Sequence, residues 1–529
     1  MKVHHVPFKS TGYFSKIICD YLDRKPKLSI FYKNFPDLEG FKNQLHLKST
    51  FEKTKREVLV DVLKNQYTLL QPSESTLKNI QSLSQPKSFT ITTGHQLNIF
   101  TGPLYFLYKI ISTINLTNVL KSEFPSHNFV PIYWMATEDH DFEEINFFNL
   151  KGHKIVWDTK SGGAVGRLKT EDFDDAFNEF SALVGSTRNA NFLKELFKKA
   201  YLNHANLTDA TRYLVNELFG DHGLVIIDGD DAKLKQQFIP ILKDELVNKT
   251  SFCKVSNTNN QLNKEYTIQV NPREINLFYI KDKLRERIIF EKNKYRINNT
   301  SLTFTQDEIL TELSNFPDRF SPNVIMRPLF QETILPNLCY IGGGGELAYW
   351  FQLKQYFDSV NTPFPILLLR NSVLLASEKQ VLKGVKLDVS LQELFLKQEQ
   401  LITKKVKALS EIEIDFSKQK NHLQQQFSYL KDLAKKTDIS FIGAVNAQEK
   451  KQLNGLENLE KRLLKAQKRK LSDIVERIVL LQTELFPNQS LEERTRNFSE
   501  IYLELGSDFI PILMNAIEPL QLEFSIIEY

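Results

Sequence analysis

Five carboxylates and one imidazole fall within the nine residues Ala136-Thr137-Glu138-Asp139-His140-Asp141-Phe142-Glu143-Glu144. Like charges packed this closely raise one another's pKa or require a cation, so the segment suits a metal, an amine or a proton transfer. Glu138, Asp139, His140 and Asp141 are therefore candidate catalytic residues, of types able to orient and deprotonate an amine. Asp139, His140, Asp141 and Glu143 are also types that bind divalent metals, but no second His-rich stretch of the metallohydrolase kind accompanies them. Recognition of an amino substrate explains them equally well, and no metal is assigned.

A second stretch, Thr92-Thr93-Gly94-His95-Gln96-Leu97-Asn98-Ile99-Phe100-Thr101-Gly102-Pro103, follows an apolar run and leads into the helical pattern Leu104 to Leu120. A loop between a strand's carboxyl end and a helix N-terminus presents unpaired N–H groups and the positive end of the helix dipole, which suit phosphate or carboxylate. Thr93, Gly94, His95, Gln96, Thr101 and Gly102 are the candidate binding residues. Lys109, within two turns of the helix start, is placed to reach a bound anion, and His95 to donate to phosphate or shuttle a proton near neutral pH. An ordinary capped turn uses the same residue types, and the pattern is neither a Walker loop nor GxGxxG.

The third stretch is Met326-Arg327-Pro328-Leu329-Phe330-Gln331-Glu332, then Leu335-Pro336, then Tyr340 to Trp350 with four consecutive glycines, in a chain that has only 20. A glycine loop ahead of a helix is mobile or lets a ligand touch the backbone. Candidate binding residues here are Arg327, Glu332, Gly343, Gly344, Gly345, Glu346, Tyr349 and Trp350, with Arg370 beyond. Arg327 and Arg370, read as closing two successive strands, suit carboxylate or phosphate through paired guanidinium hydrogen bonds; a structural ion pair is the competing account. Glu346 either binds an amine or caps its own helix.

Positioning these stretches calls for alternating strands and helices. Strands are expected at Phe89–Thr93, Phe129–Met135, Leu224–Ile227, Val324–Met326 and Pro365–Leu369, most followed by a helical pattern. The unbroken apolar run Val130 to Met135 fits a strand covered on both faces of a parallel sheet. The fold class is therefore α/β with a Rossmann-like core. Thr267–Val270, Leu277–Ile280, Arg287–Phe290 and Tyr295–Ile297, separated by polar turns, predict a small antiparallel insertion. Beyond Leu391, apolar residues from Ile402 to Leu433 and from Leu453 to Leu485 recur at helical spacing. Those two runs predict an antiparallel coiled-coil hairpin turning at Ile439–Gly443. Its uncovered stripe predicts a homodimer. The divisions are 1–88, an N-terminal helical segment; 89–260, the first part of the core with a helical insertion; 261–320, the β insertion; 321–390, the second part of the core with the glycine loop; 391–486, the hairpin; and 487–529, a C-terminal helical segment returning to the core.

Lys and Arg total 68 against 64 Asp and Glu, so no global field favours nucleic acid. Three cysteines without a CxxC pair read as isolated thiols in a reducing compartment. No signal-type segment and no apolar run of membrane-spanning length is found, and the expected location is the cytoplasm, away from membranes.

In this order, with a late hairpin, the three stretches resemble the BshC family. Its TGxQ…FTGP, EDHDF and RP…GGxGE…YW blocks match at Thr93–Pro103, Glu138–Phe142 and Arg327–Trp350. His95 departs from that pattern, where Gln is expected, which favours His140 as the working imidazole. The resemblance implies a Rossmann-like core related to nucleotidyltransferases, with connecting insertions and a coiled-coil domain that mediates dimerisation. It further implies a ligase of bacillithiol biosynthesis, in which the carboxyl group of cysteine is joined as an amide to the amine of glucosaminyl malate. Such a bond needs an activated carboxylate, so ATP or another nucleotide is expected, with Mg2+ as its companion. Two rival readings stand beside it: a metal-dependent amide hydrolase or deacetylase using residues 138–144, and a non-catalytic scaffold of the same pathway. The catalytic reading requires all three stretches to meet at one rim of the sheet.

Overall fold

The computed structural model describes residues 2–437 and 439–529. In chain order its strands are β1 (Lys2–Val6), β2 (Ser88–His95), β3 (Asn128–Met135), β4 (Phe147–Leu150), β5 (His153–Val156), β6 (Val225–Asp228), β7 (Leu277–Lys281), β8 (Leu284–Glu291), β9 (Lys294–Ile297), β10 (Thr303–Phe304), β11 (Phe320–Pro322), β12 (Asn337–Gly342), β13 (Ile366–Leu369), β14 (Val373–Ala376) and β15 (Phe524–Glu528).

The core is a parallel sheet in the order β13-β12-β2-β3-β6. β2 lies at its centre with every residue buried. Burying threonines there requires partners: the Thr90 and Thr92 hydroxyls donate to Asn337 Oδ1 at 3.1 and 2.8 Å, and the Thr93 hydroxyl donates to the Ile341 carbonyl at 2.8 Å. The helix Tyr105–Glu123, apolar on most of its surface, crosses β2 and β3. From β2 the chain moves one way to β3 and β6, whereas β12 and β13 lie on the other side. The carboxyl ends of β2 and β12 thus flank the switch point at which open α/β sheets form a binding crevice.

Helices Asp174–Val184, Arg188–Tyr201 and Leu207–Phe219 lie between β5 and β6, and the rings of Phe100, Phe148, Phe180 and Phe197 pack together beside them. An antiparallel sheet, β10-β9-β8-β7-β11, stands over the carboxyl ends of the core strands. Helices Ser417–Ala434 and Ile439–Lys470 form the hairpin, which closes on Phe427, Ala434 and Val445 with a Lys420–Glu460 ion pair at 2.6 Å.

Several expectations are corrected. Thr267–Val270 makes no strand, because the Gln269 and Val270 N–H groups donate to the Gln352 side chain at 3.0 and 3.1 Å. Val324–Met326 is a turn, since Asn323 Oδ1 accepts from the Ile325 N–H at 2.9 Å and so begins a helix at Arg327. Arg327 is therefore the first residue of the helix Arg327–Ile334, not the end of a strand. The segment Ile439–Gly443, expected as the turn, belongs to the second helix of the hairpin; the first ends at Ala434. Residues 1–88 and 487–529 are not purely helical. They contribute β1 and β15, which pair antiparallel, and β14 joins β15 in parallel to complete a three-stranded sheet.

Candidate functional site

At the carboxyl ends of β2, β3 and β6 lies a cavity of about 1000 Å³, walled on its far side by the inserted sheet. The three stretches meet there. Gly94, His95, Gln96 and Lys109 come from the first, Glu138, Asp139 and His140 from the second, and Arg327, Glu346 and Tyr349 from the third.

The acidic corner is built by backbone contacts. The Val165 and Gly166 N–H groups donate to the Asp139 and Thr137 carbonyls at 2.7 and 2.8 Å, holding the loop after β3. Gly166 permits this approach, since a Cβ there would meet Thr137 Cβ at 2.6 Å. Glu138, Asp139 and Glu144 are held by side chains of the protein. Lys235 bridges Glu138 and Asp230 at 2.7 and 3.0 Å, and Arg167 holds Asp230 at 2.8 Å. The Gln96 amide donates to Asp139 Oδ2 at 3.0 Å and to Glu144 Oε2 at 2.8 Å. Burial alone would raise the Asp139 carboxyl, but hydrogen bonding from His140 and Gln96 and the charge of Arg285 hold it well below the usual carboxylate range. Beside it, burial and the Asp230 charge push Asp228 up. Asp141 is exposed and outside the cavity lining. Among the described residues, no three or more His, Cys, Asp or Glu side chains are grouped to hold a metal ion.

In the first stretch the structure changes most of the expected roles. The Gln96 amide is spent on the carboxylates of Asp139 and Glu144, bracing the acidic corner. Lys109 donates to the Gly94 carbonyl and to Glu346, at 2.7 and 2.9 Å from its two carboxylate oxygens, so it is committed within the protein. His95 does not titrate near neutrality: burial, with the Lys109 charge added, drops its pKa to about 3. Its Nδ1 faces the Gln96 carbonyl at 2.9 Å and its ring stacks on Tyr105. Thr93 is buried in the sheet. Thr101 and Gly102 serve the turn: Thr101 has φ +69° and Gly102 +63°, and the Asn497 side chain donates to the carbonyls of Phe100 and Gly102 at 2.8 and 2.7 Å. Just before the helix that follows, the Leu104 N–H donates to the Arg496 carbonyl.

The third stretch divides. Arg327 lines the cavity, and its hydrogen bonds go only to neutral groups, Gln331 Oε1 at 3.1 Å and the Tyr349 hydroxyl at 3.3 Å. Gly94 makes room for the Tyr340 hydroxyl, from which a Cβ there would lie only 3.2 Å away. Burial would raise Glu346, yet Lys109 and the Tyr340 hydroxyl, at 2.7 Å, hold its carboxyl below the ordinary value. Glu346 also accepts from the Gly343 N–H at 3.3 Å, so it caps its helix as well. Gly343, Gly344 and Gly345 have no positive φ, and only Gly342, a Cβ of which would lie 2.9 Å from the Tyr340 ring, is needed for close packing. Trp350 is buried and stacks behind Tyr340 at 4.5 Å. Glu332 pairs with buried Lys48 at 3.0 Å, and Arg370 with Glu493 at 2.7 and 3.0 Å; both are structural ion pairs away from the lining.

The sequence reading passed over the inserted sheet's contribution. Arg285 and Arg287, two apart on β8 and so on one face, line the cavity together with Arg273. Their signal was a strand whose polar positions carry two guanidinium groups. The cavity lining consequently carries both charges, the carboxylates of Glu138, Asp139, Glu286 and Glu346 and the guanidinium groups of Arg273, Arg285, Arg287 and Arg327, with Arg285 at the acidic corner.

Comparison with known proteins matches the whole chain. The family described as "Bacillithiol biosynthesis BshC, N-terminal Rossmann-like domain" matches residues 1–371, and "Bacillithiol biosynthesis BshC, C-terminal coiled-coil domain" matches residues 373–529. A protein of Flavobacterium johnsoniae is 59% identical over 523 residues, 99% of each chain. One of Cytophaga hutchinsonii is 35% identical over 98% of this chain and 97% of its own, and one of Bacillus cereus 26% identical over 94% and 95%. All three carry the name "Putative cysteine ligase BshC".

Proposed function

This chain belongs to the BshC family of bacillithiol biosynthesis, and from that premise we propose that it joins the carboxyl group of cysteine, as an amide, to the amine of glucosaminyl malate. The observation that carries this reading is a cavity lined by both carboxylates and guanidinium groups. A carboxylate held ionised, Asp139, suits an amine-bearing substrate, while the guanidinium of Arg327, whose hydrogen bonds among the described residues go to Gln331 and Tyr349, suits a carboxylate or phosphoryl oxygen. A volume at the top of the usual range of roughly 300–1000 Å³ for small-molecule sites leaves room for more than one reactant.

A free carboxylate does not condense with an amine at neutral pH, so a co-substrate must activate it, and the guanidinium groups of Arg273, Arg287 and Arg327 fit the phosphates of a nucleotide such as ATP, with Mg2+ as their companion. In the bond-forming step the amine lone pair attacks the acyl carbon. The bond from that carbon to the activating oxygen breaks, phosphate or the nucleotide leaves with that oxygen and the bond's electron pair, and the proton on nitrogen passes to solvent. What the protein supplies is orientation and charge. No described helix is long and apolar enough to cross a membrane, and the substrates proposed are small polar molecules. Apolar side chains left on the hairpin, Tyr429 at 70% exposure and Leu459 at 53%, support a homodimer formed through it.

The test is purified protein with glucosaminyl malate, cysteine and ATP, following the new thiol by mass spectrometry and identifying the nucleotide product. Absence of that thiol with every nucleotide tried would refute the reading.

A further inference from the structure

Arg285 reaches into the cavity from β8, where it pairs with Ile280 of β7. Its guanidinium lies 3.9 Å from the Phe278 ring centroid, its Nε donates to Ser321 Oγ at 3.3 Å, and its Nη1 is 2.6 Å from Nδ1 of His140. A guanidinium has donors and no acceptor. His140 Nδ1 must therefore offer a lone pair, which places the ring hydrogen on Nε2. Asp139 Oδ1 lies farther from Nδ1, at 3.6 Å, and accepts from the His140 N–H at 2.7 Å. The ring is half exposed and lines the cavity, beside Phe278 at 5.4 Å.

We propose that Arg285 is a positioning residue that fixes His140 as an Nε2–H hydrogen-bond donor to a substrate oxygen, so that His140 does not serve as the base for the amine. Both ring nitrogens are committed: Nδ1 receives from Arg285, and Nε2 already carries its hydrogen. A fixed donor beside the acidic corner is suited to the acyl oxygen, which gains negative charge as the amine attacks. The inserted sheet thereby takes part in the chemistry of the core. This assignment of roles rests on the ligase reading, whereas the hold of Arg285 on His140 does not.

The test has two arms. In the ligase assay, Gln at position 140 carries an amide donor near the place of Nε2, and Asn carries one near Nδ1. His140→Gln should keep at least about tenfold more activity than His140→Asn or His140→Ala, whose loss should reach about 10²–10³-fold in kcat, the scale of removing one such donor. Arg285→Ala should lower kcat with little change in KM, Arg285→Lys should restore part of it, and Arg285→Ala should add little in the His140→Gln background. Equal loss in the Gln and Asn variants, or additive losses, overturns the donor role. The second arm needs no turnover: the ¹⁵N spectrum of histidine-labelled protein, with His140→Gln to assign the signal, should show an unprotonated Nδ1 in the wild type and a tautomer mixture in Arg285→Ala. An unchanged spectrum overturns the hold of Arg285. Wild-type protein that makes no thiol refutes the ligase reading and the donor role with it, while the spectrum still decides what Arg285 does.

Discussion

Arg327 is where one side chain should matter most. It faces the cavity with neutral partners only, so its charge is available to a ligand. Arg327→Ala is expected to lower kcat/KM about 10–100-fold, the value of roughly 1.5–3 kcal/mol for a hydrogen bond to a charged group, with the circular dichroism spectrum unchanged. Arg327→Lys should fall between, because the charge remains but the fork does not. An alanine variant with normal kcat/KM would remove Arg327 from the site. Residue types were readable in advance, since a dense acidic run and an unusual glycine run stand out in any sequence. Their partners were not. Whether Glu138 is free depends on Lys235, and whether Lys109 is free depends on Glu346; both partners arrive from distant parts of the chain. That is why Lys109 and Gln96, chosen as anion ligands, prove to be internal braces.

Among the elements, the short segment Leu491–Asn497 reaches the back of the site. Asn497 holds two carbonyls of a turn in which Phe100 and Thr101 both have positive φ, and that turn opens the helix carrying Tyr105 and Lys109. Asn497→Ala leaves both carbonyls without this donor and is expected to destabilise the chain by about 2–4 kcal/mol, read from the shift in denaturant midpoint. Nearby, burial raises the Glu492 carboxyl to about 7, with Arg496 opposing. In the unfolded chain it titrates near about 4.3. Between those values the folded chain holds a proton that the unfolded chain releases, so stability falls as pH rises through the window. Glu492→Gln should flatten that fall, and thermal midpoints of the two proteins at pH 5 and pH 8 would show it. β2 and β3 were legible because central parallel strands are continuously apolar. β1, β14 and β15 escaped because each is only four or five residues long, and a sheet assembled from both ends of the chain leaves no local signature.

For the molecule as a whole, the hairpin and the core need different tests. If the hairpin's apolar face is covered by a second copy, light scattering should give twice 61.5 kDa, and Leu433→Glu with Leu459→Glu should halve it. A wild-type mass of one chain would dismiss the dimer. The general plan, α/β core followed by helical hairpin, was readable from the change in apolar period near Leu391. Which faces meet across the cavity was not, because the inserted sheet is brought over the core strands by contacts distant in sequence. The pairing of β1 with β15 has a consequence for synthesis. β1 has no antiparallel neighbour until the distant β15 has been translated, so this seam cannot close before then. A chain that stops short of Phe524 leaves β1 and β14 as bare edges, and a protease should find residues 2–6 first.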